Sequence, residues 1–97
     1  VKQIEQNIES GYKEIKDLTE KVKEKAMHIY NFPTEVEIKE AKLLLSLYDR
    51  YYVVSIKYNI DGVDYEDKRP VYAELKETVY DMLFRIKDFY ERTHKFE

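Results

Sequence analysis

Few side chains in this sequence are suited to chemistry. His28 and His94 are its two imidazoles. They fall near the ends of separate helical segments, and no third ligand stands at metal spacing from either. Asp61, Asp64, Glu66 and Asp67 resemble a calcium loop in composition only. An EF-hand loop needs oxygen ligands at alternate positions before its glycine, whereas here Gly62 follows Asp61 at once. Asp61 reads instead as a turn residue. Ser10, Ser46 and Ser55 lack a nucleophile motif or a histidine placed to activate them. With Gly11 and Gly62 as the two glycines, no phosphate-binding loop can be built. The absence of cysteine removes thiolate nucleophiles, disulfides and zinc-thiolate sites together. The expectation is a protein with no catalytic residue, no metal and no cofactor, and therefore not an enzyme.

What remains is binding chemistry. The chain has ten tyrosines among 97 residues. Tyrosine joins a large apolar body to a polar tip, which suits surfaces that are wet when free and covered when bound. Leu44, Tyr48, Tyr51 and Val53 fall on the face of a β-hairpin turned away from its apolar side. On that face they form a candidate partner surface. A second candidate lies on the C-terminal helix, where Tyr80, Leu83 and Phe84 widen the apolar arc beyond what one sheet can cover. The outer hairpin face also carries Lys42 and Lys57. Together with Tyr48 and Tyr51 they would resemble a stacking platform for single-stranded nucleic acid.

Charge weighs against that last reading. Lys and Arg number 17 and Asp and Glu 20, for a net charge of -3. Residues 1–30 hold six acids and six bases, residues 31–70 eight and six, residues 71–97 six and five. No segment is a basic track. Hydrophobic content of 43% excludes a disordered chain. No apolar run approaches the ~18 residues of a membrane-spanning helix. The lack of cysteine leans toward a cytoplasmic location. Abundant Lys, Glu, Ile and Tyr with scarce Gly give a thermophile-like composition.

These residues must be positioned by a small set of elements. Ile4, Ile8, Gly11, Ile15, Leu18 and Val22 step by threes and fours, which predicts one helix over about residues 2–30. Pro33 ends it. Residues 35–48 admit two readings. Thr34-Glu35-Val36-Glu37 matches a capping box, and a helix there would give an ααββα order. The strand reading is preferred on register. A turn at Asp49-Arg50 sets Leu47 opposite Tyr52, Leu45 opposite Val54, Leu43 opposite Ile56 and Ala41 opposite Tyr58, every pair apolar. A bulge near Lys39 to Ala41 keeps Val36 and Ile38 in phase. Asp61-Gly62 is a two-residue hairpin turn that sets Val63 opposite Ile60 and Tyr65 opposite Tyr58. Pro70 suits the first turn of a helix that runs to about residue 94.

The sequence therefore predicts a single α+β domain over residues 1–97. A long N-terminal helix leads into a three-stranded antiparallel β-meander and a long C-terminal helix, the helices antiparallel on one sheet face. No family motif is present. The expected function is a non-enzymatic interaction or assembly module, with a protein partner and as a homodimer, helix two near the two-fold axis. Two other readings are a weak single-strand nucleic-acid binder and a small viral or plasmid-borne regulator or inhibitor.

Overall fold

A computed structural model describes residues 11–94, with the side chain of His94 left aside. The elements run β1 Tyr12–Asp17, α1 Thr19–His28, β2 Val36–Ser46, β3 Tyr52–Ile60, β4 Val63–Pro70 and α2 Leu75–His94. The strands form one four-stranded antiparallel sheet in the order β1-β2-β3-β4. This corrects the expectation of a long N-terminal helix with three strands. Residues 12–17 are a strand, the helix that follows has 10 residues, and Ile4 and Ile8 lie outside the described residues.

The break between β1 and α1 has a local cause. Asp17 Oδ1 accepts the backbone N–H of Thr19 at 2.9 Å and also its hydroxyl, which fixes the first turn of α1. The backbone N–H of Leu18 donates to the carbonyl of Ala41 at 2.8 Å and ties the junction to β2. Gly11 is not a helix-stripe residue. It is buried in a turn at φ +80, a conformation that favours glycine.

The strand reading of residues 35–48 holds over β2, and the helical alternative falls. The register against β3 differs from the expected one by two residues, pairing Leu45 with Tyr52, Leu43 with Val54 and Ala41 with Ile56. The reason is the turn. Residues 47–50 form a four-residue loop, closed by the Ser46 N–H donating to the Tyr51 carbonyl at 2.8 Å. Because side chains alternate with period two, a two-residue shift leaves every side chain on its expected face. The register breaks between Ile38 and Glu40, within the stretch expected to bulge. The Asp61-Gly62 hairpin pairs Ile60 with Val63 and Tyr58 with Tyr65 as expected.

Pro70 corrects another boundary. It ends β4 opposite Val53, an edge position where the missing N–H costs no ladder bond, and α2 begins five residues later. Both helices cover one sheet face. Val22 and Ala26 of α1 join Val79, Met82, Leu83 and Ile86 of α2 over Ile38, Ala41, Val54 and Ile56. The helices run in the same direction rather than antiparallel. Lys25 Nζ reaches the Tyr80 hydroxyl at 3.4 Å, and further along Lys87 Nζ donates to the Tyr30 carbonyl at 2.8 Å. β1 ends opposite Lys42, so α1 starts at mid-sheet and carries the chain on to the start of β2.

Candidate interaction surface

The end of the sheet at the β2–β3 loop is built from three chain segments. The Ser46 carbonyl accepts the Arg50 N–H at 2.9 Å and the Ser46 hydroxyl accepts the Asp49 N–H at 3.3 Å, so a buried serine organises the loop. The Leu47 N–H donates to the Gly11 carbonyl at 2.8 Å, which brings the entry to β1 against the loop. The Val71 N–H donates to the Tyr52 carbonyl at 2.9 Å, which brings the exit from β4 alongside. Together these bonds hold four exposed tyrosines at one end of the sheet. Tyr48 is 77% exposed and Tyr72 89%, with Tyr51 and Tyr52 each more than two-fifths exposed.

Tyr48 and Tyr51 are two of the residues singled out from the sequence. The outer-face candidates Leu44 and Val53 pair across β2 and β3. Leu44 is half-buried and Val53 only 2% exposed. Tyr12 of β1 and Lys68 of β4 meet across this face, the ammonium 5.0 Å from the ring centroid, so the two side chains span the intervening strands.

The rest of the outer face is a ladder of paired charges. Lys42 Nζ lies 2.7 Å from Glu14 and 3.5 Å from Glu40, and Lys57 lies 3.7 Å from Glu40. Lys68 lies 3.7 Å from Glu66, which also accepts the Ser55 hydroxyl at 3.2 Å. The bond to Glu14 holds the Lys42 ammonium above its usual range, against the opposing effect of burial, with Glu40 adding its charge. Exposed pairs of this kind contribute only ~0–1 kcal/mol each. Their consequence is electrostatic: every lysine on this face already has a carboxylate, so the face offers no cationic track to a phosphate backbone.

Helix two supplies less surface than its sequence suggested. Leu83 is fully buried and belongs to the core. Tyr80 is half-buried between the helices, its carbonyl accepting the Tyr30 hydroxyl at 3.2 Å and its ring meeting that of Tyr30 edge-on at 6.3 Å. Phe84 alone of the three faces solvent, at 59% exposure. Leu83 and Tyr80 find their partners within the chain, and Phe84 is left outside them.

Sequence reasoning passed over Tyr52 and Tyr72. Tyr52 sits on the apolar face of the hairpin, a position from which burial is expected. It lies beyond the reach of α1, which starts only at mid-sheet. Tyr72 falls inside the helix expected from Pro70 onward; Pro70 instead closes β4, and Tyr72 lies between that strand and α2. Among the described residues no group of three or more His, Asp or Glu side chains is placed to hold a metal. No helix there is long and apolar enough to cross a membrane. Compared with known proteins, the chain matches no family model, no curated protein and no solved structure.

Proposed function

We propose that this chain is a non-enzymatic protein-interaction module that self-associates through the tyrosine-rich end of its sheet. The observation that carries this reading is the gathering of Tyr48, Tyr51, Tyr52 and Tyr72 at one end, all exposed. Aromatic residues are enriched at interface cores, and tyrosine loses little conformational freedom when covered. A group of exposed aromatic residues gathered at one end of a sheet is the kind of patch that marks a contact surface.

A second copy of the chain suits this end. Asp49 and Arg50 are adjacent, exposed and of opposite charge at the loop between the tyrosines. Across a two-fold axis each Asp49 would face the other copy's Arg50, so the patch is complementary to itself. The paired lysines of the outer face favour a protein partner over a nucleic acid. The deciding experiment is the mass in solution with and without a single-stranded oligonucleotide. A dimer whose mass is unchanged by the oligonucleotide supports the reading. A monomer that takes up the oligonucleotide refutes it.

A further inference from the structure

We propose that the cleft between α1 and the start of α2 binds a phosphate monoester carried on an apolar body. The cleft measures about 330 Å³. Its floor is Leu18 and Val22 from one side and Leu75 and Val79 from the other. Around the floor stand four lysines, Lys16, Lys21, Lys25 and Lys76. Two of them flank a single phenol: the ammonium groups of Lys25 and Lys76 lie 5.2 Å and 5.7 Å from the centroid of the Tyr80 ring.

These lysines differ from those of the outer sheet face in one respect. Among the described residues, none of the four has a carboxylate within ion-pair distance, whereas Lys42, Lys57 and Lys68 on the outer face all do. This unbalanced cluster occurs in a chain of net charge -3. No acid is among the described residues that line the cleft. Glu20 and Glu24 on α1 are exposed, and Glu74, Glu77 and Asp81 border a separate hollow with Arg69. Lys21 and Lys25 are four apart on one helix, a like-charge spacing that destabilises the helix bearing it. A bound anion removes that repulsion.

The chemistry of the ligand follows from the lining. Four cations call for more charge than one carboxylate carries, and a phosphate monoester is dianionic near neutral pH. The aliphatic floor calls for an apolar body beneath the charge. The volume lies at the low end of the ~300–1,000 Å³ typical of small-molecule sites, which suits a short alkyl chain or a single ring. The chemistry is shared by soluble phosphate esters and by phosphatidic acid.

The test is a titration of the whole chain with octyl phosphate, inorganic phosphate and octanol, followed by methyl NMR. Octyl phosphate is expected to saturate in the millimolar range or below and to shift the methyls of Leu18, Val22, Leu75 and Val79. Inorganic phosphate and octanol should each bind roughly tenfold or more weakly, since each supplies half of the recognition. Lys25→Gln with Lys76→Gln should weaken octyl phosphate by a similar factor while leaving the circular dichroism unchanged. Octanol binding as well as octyl phosphate, shifts confined to other parts of the chain, or no saturation overturns the proposal, whatever the double variant does. Retention on phosphatidylcholine vesicles containing phosphatidic acid assigns the lipid as the source. Failure to be retained, with octyl phosphate still bound, assigns a soluble ester.

Discussion

The ring of Tyr48 lies against the α-carbon of Gly11, so close that a Cβ at position 11 would fall 2.7 Å from Tyr48 Cε2. Gly11 also holds a φ of +80, which costs other residues about 1–2 kcal/mol. Gly11→Ala is therefore expected to destabilise by at least about that amount and to swing the Tyr48 ring outward. A urea melt and the ring shifts of Tyr48 measure both. An unchanged or raised stability contradicts a left-handed turn at this position.

Leu83 and Phe84 are adjacent and face opposite ways, one fully buried and the other 59% exposed. Leu83→Ala is expected to cost about 2–5 kcal/mol through lost burial and the cavity left behind. Phe84→Glu should stay within about 0.5 kcal/mol of the parent and leave the mass in solution unchanged. A change to monomer on Phe84→Glu would move the interface from the sheet end to helix α2.

Asp17 couples the start of α1 to pH. The Thr19 hydroxyl, and after it the Thr19 backbone N–H, hold its carboxyl below the ordinary range. A depressed folded-state pKa contributes stability above the unfolded value, and that contribution is lost as pH falls through the folded value. Asp17→Asn is expected to lower stability at neutral pH, and the gap to the parent should narrow below about pH 4. A constant gap across an acid series of melts shows that the charge plays no part.

Tyr58 offers the opposite limb. Burial, then the charges of Asp67 and of the Tyr65 phenolate, push its phenol above the ordinary value. The Tyr65 ring stacks on it at 5.5 Å and meets Phe89 edge-on at 5.4 Å. With a raised folded-state pKa, its contribution is intact below about pH 10 and is lost as pH rises through the folded value. In an ultraviolet titration, Tyr58→Phe is expected to remove one phenol from the late-titrating part of the curve. Loss from the early part contradicts its burial.

The hairpins were legible because period-two patterning and Asp61-Gly62 chemistry act over a few residues. The face of each strand survived a wrong turn length, since the slip was by two. The β1–α1 boundary was less legible. Ile15 fits the helical stripe, yet it sits at the register break of β1 and is exposed. Pairing with β2, reinforced by the Glu14–Lys42 ion pair, holds residues 12–17 extended, and no local pattern announces those long-range contacts. Asp17-Leu18-Thr19-Glu20 did carry a helix-start signal inside the stripe. Of the candidate surface, Tyr48 and Tyr51 could be found from the hairpin alone. Tyr52 and Tyr72 could not, because their exposure depends on where α1 begins and where β4 ends.

Self-association through the sheet end is tested most directly by light scattering of the parent and of Tyr72→Glu across the micromolar range. Tyr72 is 89% exposed, so the substitution leaves the folded chain without a lost contact to explain its effect. Charge at an interface core is disfavoured. The expected result is a dimeric parent and a variant shifted toward monomer with unchanged circular dichroism. A parent that is monomeric throughout, or a variant that remains as dimeric as the parent, contradicts the account.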